Sequence, residues 1–339
     1  MTVRVGLIGG GRMGSVLARY LANGVPEAKL VAIADLNLER AEALAAQLSA
    51  EAAYSNPAEI IDRRDIEAVL LVTPSETHPD LVELAANAGK HIFVEKPLAL
   101  TLEGCDLAIA AAAAAGVKLQ VGFMRRFDIA HRTARQKIEE GAIGRPVLFK
   151  SISRDRERTS LEFARRESSG GLIMDMGAHD FDTARWLMGS EVVRVHSEGA
   201  ALAYPELEQV GDIDNAVVNL QFADGAVGNV DLSRNAVYGS DFRTEVLGSK
   251  GAVVIGGLGQ AELTVLSAGS RAQGYDGGRF EAAYIEELQH FVNCVARDEP
   301  PLVTGAEARQ ATAIAVAATR SLDEGQAVFL SEIGRPGPG

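Results

Sequence analysis

From Val3 to Phe123 the chain repeats one pattern five times: a short, unbroken apolar run followed by a turn or a helix-period stretch. The runs are VRVGLIG, AKLVAIAD, IEAVLLVT, HIFV and VKLQVGF. Between them lie helical stretches: one from Gly14 to Asn23, NLERAEALAAQL opened by Asn37, HPDLVELAANA closed by Gly89, and TLEGCDLAIAAAAAA closed by Gly116. Asn at a helix start and Gly just past its end are capping residues. Strands that are apolar throughout, rather than at alternate positions, are buried on both faces, as in a parallel sheet with helices above and below. This half therefore reads as a doubly wound α/β domain ending near Gly122. A chain of 339 residues exceeds the roughly 250–300 residues at which a single core stops growing. The sequence thus predicts two domains, residues 1–122 and residues 123–339.

The second half has another rhythm. A helix is expected from Asp128 to Glu140, then the strand PVLFKSISR, then a helix over Asp175 to Leu187. AVVNLQF and AVGNVDLSR flank Asp224-Gly225 as a hairpin, and TEVLG and AVVIG flank SKG as another. Consecutive hairpins imply a mostly antiparallel sheet, so this is an α+β domain. Two more helices, Arg279 to Val295 and Gly305 to Leu322, follow, and the tail GRPGPG reads as loose.

Charge and cysteine usage narrow the partners. A net charge of −13 disfavours nucleic acid and anionic membranes, since both are polyanions. Only Cys105 and Cys294 occur, in no metal-like spacing, which fits a reducing compartment. The N-terminus runs directly into a strand without a leader-like pattern, and LAIAAAAAAGVKL is too short to span a bilayer. A cytoplasmic protein is expected. The histidines outside the helix at 175–187 are scattered, so no metal is expected.

Gly9-x-Gly11-x-x-Gly14 lies between the first strand and the first helix, and Asp35 ends the second strand. A glycine triplet alone is weak evidence, and a plain glycine-rich turn is the alternative. In this context it is the dinucleotide fingerprint. Gly9 permits a tight turn, Gly11 lets the backbone approach a pyrophosphate, and Gly14 lets helix and strand pack closely. The helix N-terminus, at Arg12 and Met13, offers its N–H groups to phosphate. Asp35 would accept bonds from the ribose hydroxyls and repel a 2′-phosphate. No arginine follows it directly, and Arg40 lies further along the helix, so NAD is expected as the cofactor. VTPSETH ends the third strand and puts Thr73, Pro74 and His78 at its carboxyl edge, either lining the nicotinamide ribose or forming a simple turn.

FVEKPLAL places Glu95, Lys96 and Pro97 at the carboxyl end of the fourth strand, where ligands of such sheets bind. The alternative is a surface ion pair of roughly 0–1 kcal/mol. A lysine partly removed from water there can hold a reacting hydroxyl or exchange its proton, and Pro97 would stiffen the turn, a cis bond being one way. In GGLIMDMGAHDFDTARWLMG, Asp175 and His179 stand four positions apart, on one face of a helix. The carboxylate can orient the imidazole and raise its basicity. A helix cap beside an exposed histidine is the competing reading.

The ordered set GLIGGGRMG, VTPSETH, VEKPLA, VGFMRRFD, SRD, DMGAHDFDTARWL and RFEAAYIEELQHF resembles the Gfo/Idh/MocA oxidoreductases, within them the inositol 2-dehydrogenase group, from Val3 to about Phe329. The resemblance implies a Rossmann domain followed by an open, mostly antiparallel sheet through which copies pair as dimers or tetramers. It implies Lys96 as the substrate-hydroxyl lysine and His179 as the general acid/base assisted by Asp175. Glu95 would lie beside the cofactor. Met124 and Arg125 would lie near ring and nicotinamide, Arg154 and Asp155 at the substrate rim, Tyr238 over the pocket, and Tyr284 less directly. Two departures touch the substrate side: the charged stretch RERTSLEFARRESSGG after SRD, and Ser240 in place of an aromatic residue. The reaction implied is NAD-dependent oxidation of a secondary hydroxyl of a cyclitol such as myo- or scyllo-inositol. Oxidation of a cyclic sugar, an NAD-retaining reaction without net redox change, and a non-catalytic NAD sensor are the alternatives.

Overall fold

The computed structural model describes residues 2–256 and 280–333, so the GRPGPG tail lies outside the described residues. Elements in chain order are β1 (Val3–Ile8), α1 (Arg12–Gly24), β2 (Ala28–Ala34), α2 (Leu38–Leu48), β3 (Ala52–Tyr54), α3 (Pro57–Ile61), β4 (Ala68–Leu71), α4 (His78–Asn87), β5 (His91–Glu95), α5 (Leu102–Ala115) and β6 (Leu119–Gly122). Then come α6 (Ile129–Glu139), β7 (Pro146–Arg154), α7 (Leu161–Ala164), α8 (Arg166–Ser169), α9 (Gly171–Asp175), α10 (Gly177–Met188), β8 (Val192–Ala200), β9 (Asn215–Phe222), β10 (Val227–Ser233), β11 (Asp241–Gly248) and β12 (Ala252–Ile255). The described chain closes with α11 (Glu281–Arg297), α12 (Gly305–Glu324) and β13 (Val328–Phe329).

The first six strands form a parallel sheet in the order β3-β2-β1-β4-β5-β6. The order reverses beside β1, so the carboxyl ends of β1 and β4 open a crevice at the switch point. Asn37 and Gly116 cap as the sequence predicts, and Thr101 adds a cap at the start of α5. Asn37 accepts from the Arg40 N–H at 3.1 Å, Thr101 accepts from the Gly104 N–H at 3.1 Å, and Gly116 closes α5 in the left-handed conformation. Two short elements, β3 and α3, have no counterpart in the sequence reading, because three to five residues carry too little period to register.

The chain divides into two compact units, Met1–Phe127 with Phe280–Arg309, and Asp128–Arg279 with Gln310–Gly339. The first unit thus runs five residues past the boundary expected at residue 122 and also takes in Phe280–Arg309. The reason is apolar packing by α11. Its Leu288, Phe291 and Val292 are fully buried in the cluster built by Leu17, Leu21 and Phe93, with Phe291 edge-on to Phe93 at 5.9 Å between ring centres. Each such side chain contributes about 1.5–3 kcal/mol on burial. Gln120 Nε2 donates to the Glu287 carbonyl at 3.0 Å, and the Val121 N–H donates to the Val303 carbonyl at 3.1 Å, tying the returning segment to β6.

The second unit holds the sheet β12-β11-β7-β10-β9-β8-β13. Both expected hairpins form, β9 with β10 and β11 with β12, and among the described residues only the β7–β10 pair of this sheet is parallel. One face packs under helices: Ser151 and Ser153 of β7 both donate to Asp180 of α10, the latter at 2.9 Å. Alternation sends Lys150, Ile152 and Arg154 to the opposite face. The helix expected over 175–187 is α10, which begins only at Gly177, so Asp175, the last residue of the separate α9, does not share one helix with His179 as the spacing predicted.

Candidate active site

At the cofactor end, the Gly9 N–H donates to the Ala34 carbonyl at 2.8 Å, and Gly9 takes φ +101°. A Cβ on Gly9 would stand 2.2 Å from the Val72 carbonyl oxygen, and one on Gly14 would stand 1.8 Å from the Gly9 carbonyl oxygen. A Cβ on Gly11 meets nothing within 4 Å. So Gly9 and Gly14 are required by the protein's own packing, whereas Gly11 keeps an outward approach clear for a ligand. No side chain caps the start of α1, leaving its first N–H groups to a phosphate. An open cleft of about 520 Å³ is lined by Gly10, Gly11, Arg12, Arg19, Arg40 and Gln47 among others. Met13 instead packs on the apolar core.

Asp35 is held by the N–H groups of Gly10 and Asn37, each at 2.8 Å. Arg40 reaches back from the first turn of α2 to within 3.4 Å of both carboxylate oxygens. The sequence reading set Arg40 aside as too distant. The Asn37 cap was the usable signal, since it fixes α2 to begin at Leu38 and turns Arg40 toward Asp35. These features fit an adenosine ribose on Asp35 and a pyrophosphate over Gly11.

His78 joins the ends of β4 and β5. Its Nδ1 lies 2.8 Å from the Pro97 carbonyl oxygen and its Nε2 lies 3.0 Å from that of Thr73. Burial pushes the imidazole pKa down, outweighing the two carbonyls that favour the cation, and Lys96 pushes the same way. His78 is thus a brace for the strand ends, with Thr73 further fixed by the Thr77 hydroxyl at 2.7 Å. Pro74 caps the turn, its carbonyl accepting from Thr77. The Lys96–Pro97 bond is cis. Glu95 is buried and accepts from the Lys96 N–H at 3.1 Å. Lys96 itself is half-buried at the end of β5. Met124 and Arg125 are buried in a single 3₁₀ turn after β6. Tyr284 stacks on Tyr20 with 6.2 Å between ring centres, and burial, then Glu95 and Glu287, push its phenol pKa up.

In the second unit, every residue from Gly171 to Arg185 is buried except Asp175 and His179. A surface cap beside an exposed histidine does not give that pattern. Two polar side chains, and only those two, interrupt fifteen otherwise buried positions. Asp175 accepts from Arg234 Nη1 at 3.2 Å. Parallel pairing of β7 with β10 brings Asp155 to the same sheet end: its N–H donates to the Ser233 carbonyl and its carbonyl accepts from the Ala236 N–H, both at 2.9 Å.

Arg154 lies elsewhere. Its guanidinium grips Asp231 at 3.0 and 2.5 Å, and reaches the Tyr238 hydroxyl at 3.3 Å. That hydroxyl donates to Asp241 at 3.1 Å, and Asp241 also holds Arg243. Asp231 hydrogen bonding raises the Arg154 pKa further, so its charge is permanent. This network sits on the sheet face turned away from α10. The charged stretch after SRD is largely absorbed by pairs within the unit, Arg158 with Glu206 at 3.0 Å and Arg166 with Asp323 at 2.8 Å.

The glycine turn, Asp35 and the strand order define a dinucleotide-binding oxidoreductase unit. Residues 3–123 match the oxidoreductase family with an NAD-binding Rossmann fold, and residues 131–254 match the GFO/IDH/MocA C-terminal domain. A scyllo-inositol 2-dehydrogenase (NAD(+)) of Bacillus subtilis is 41% identical over 333 residues, covering 97% of this chain and 96% of the relative. A myo-inositol 2-dehydrogenase of Thermotoga maritima is 39% identical, covering 98% of this chain and 99% of the relative. The solved scyllo-inositol dehydrogenase of Lactobacillus casei, with bound NAD(H) and scyllo-inositol, superposes with a TM-score of 0.89 at 31% identity, covering 98% of this chain and all (100%) of that one. The chain belongs to the Gfo/Idh/MocA oxidoreductases, as the motif set implied, and NAD is its cofactor.

Proposed function

We propose that this chain is an inositol 2-dehydrogenase, oxidising a secondary ring hydroxyl of myo- or scyllo-inositol to the ketone. The observation carrying the chemistry is that Asp175 and His179 alone stand out of a fifteen-residue buried segment, in a family where full-length relatives act on inositols. Bound NAD⁺ supplies the acceptor for the hydride that leaves the alcohol carbon. Lys96 holds the hydroxyl oxygen and favours its partial negative charge. His179 takes the hydroxyl proton, and Asp175 steadies the resulting imidazolium. The products are ketone, NADH and one proton. Met124, Arg125 and Asp155 position the ring. Arg154 and Tyr238, bound into the network on the other sheet face, take no part in this step.

The same reading makes the protein a cytoplasmic homo-oligomer. Cys105 and Cys294 are both buried, and among the described residues no helix is long and apolar enough to cross a membrane. On the sheet face away from the helices, Val217, Val227, Leu247 and Val254 are 40–64% exposed, an apolar surface suited to pairing with a second copy. The test of substrate is NADH formation from scyllo- and myo-inositol against pyranoses. Turnover of a pyranose with none of any inositol would move the assignment to a sugar dehydrogenase.

A further inference from the structure

Arg234 follows the last residue of β10 and is 2% exposed, among the largest fully buried side chains of the chain. Burying a guanidinium is costly unless opposite charge accompanies it. Two carboxylates do so. Nη1 donates to Asp175 Oδ2 at 3.2 Å, and Nη2 lies 3.6 Å from Asp212 Oδ2. The Arg234 N–H also donates to the Asp214 carbonyl at 2.9 Å, so the side chain departs from a fixed backbone point.

The two carboxylates have different surroundings. Asp212 is buried and its Oδ1 accepts from the Leu172 N–H, in the first turn of α9, at 2.8 Å. Burial pushes its carboxyl pKa up, and Arg234 leads the interactions that draw it back. Gly171 takes φ +76°, and a Cβ there would stand 2.7 Å from Asp212 Oδ1, so a glycine leaves room for this approach. Asp175, at the other end of α9, is one of the two partly exposed residues of the buried segment. Both ends of a five-residue helix are thus tied to one guanidinium: the start through Asp212, the end directly.

We propose that Arg234 is a positioning residue for the reaction, setting the place of Asp175 and, through it, of His179. This rests on reading His179 as the proton acceptor. Arg234 itself touches neither proton nor cofactor in this scheme. It fixes the carboxylate against which the imidazolium forms, as an outer partner fixes an acid–base pair whose productive geometry tolerates little displacement.

The test is a double-mutant cycle on kcat, with the KM for inositol and the Kd for NAD measured alongside. Arg234→Met is expected to lower kcat about 100-fold, with KM within about threefold and NAD affinity unchanged. Asp175→Asn is expected to lower kcat by a similar factor. In the Asp175→Asn background, Arg234→Met should lower kcat by less than about threefold more, because the group it acts through is already lost. Arg234→Lys keeps the charge and covers the case in which the methionine variant does not fold. It is expected to fold and to lose about tenfold in kcat, again without further loss beside Asp175→Asn. Independent effects that multiply in the double variant would overturn the proposal. So would a folded Arg234→Lys with wild-type kcat, which is what a purely structural ion pair gives. Wild-type protein that turns over no inositol would overturn the reading beneath it, and that outcome is separate from an additive cycle measured on an active enzyme.

Discussion

Alanine at Gly14 and alanine at Gly11 should both weaken NAD binding, but only the first should destabilise the fold. Inside a helix, Gly→Ala ordinarily stabilises by about 0.5–1 kcal/mol. At Gly14 a Cβ would fall 1.8 Å from the Gly9 carbonyl oxygen, whereas real Cβ contacts essentially never come under 3.0 Å. The start of α1 or the β1–α1 turn must therefore shift by the difference, about 1.2 Å. Overpacking of this kind costs about 1–3 kcal/mol, enough to outweigh the helix gain. The shift also takes the free N–H groups of α1 away from the phosphates, and a displacement near 1 Å costs on the order of 100-fold in a positioned site. Gly14→Ala should lower the cofactor-free Tm by a few degrees and weaken NAD binding about 100-fold. At Gly11 the new methyl meets nothing of the protein within 4 Å, so the cofactor-free Tm should stay within about 1 °C of wild type. The methyl does fill the approach to the pyrophosphate, so NAD binding should still fall about 100-fold. Thermal melts without cofactor and calorimetric titration with NAD separate the two. A Gly14→Ala protein that is more stable and binds NAD normally would refute the packing reasoning. A Gly11→Ala protein with wild-type affinity would refute the placement of the phosphates.

Asp35→Ser should cut the preference for NAD over NADP at least about 100-fold, since charged hydrogen bonds contribute about 1.5–3 kcal/mol each. Adding Arg40→Ala should then lower NADP use again, measured as kcat/KM for each cofactor. His78 carries a depressed pKa in the fold, so the unfolded chain binds the extra proton. Stability should be full above the ordinary histidine value near about 6.5 and fall as pH drops below it. The slope is at most about 1.4 kcal/mol per pH unit for one proton, and denaturant melts of His78→Gln should lack that share. Phe291→Ala should cost about 3–5 kcal/mol, read by urea melts, because α11 packs into the core of the first unit. Glutamate at both Val227 and Leu247 should reduce the assembly size seen by light scattering while leaving the unit folded.

The parts of the fold legible in the sequence are those with long, uniform patterns. Five continuous apolar runs placed the parallel strands, and Asp224-Gly225 and SKG placed both hairpins. The break between α9 and α10 was hidden, because residues 171–185 are buried nearly all round and such a segment has no face to set its period. The period of α11 identified a helix but not the core it joins, since an apolar stripe does not name its partner. Of the proposed site, Lys96, Asp175 and His179 are legible by motif and spacing. Arg234 did not, because a single arginine after a strand is uninformative until Asp212 and Asp175, distant in sequence, are folded onto it.

Two substitutions test the central chemistry most directly: Lys96→Met and His179→Ala, each assayed for NADH formation from inositol and for NAD affinity. The account predicts kcat lower by about 1,000-fold or more in each variant, with the Kd for NAD within about threefold of wild type. Either variant turning over inositol at the wild-type rate would contradict it.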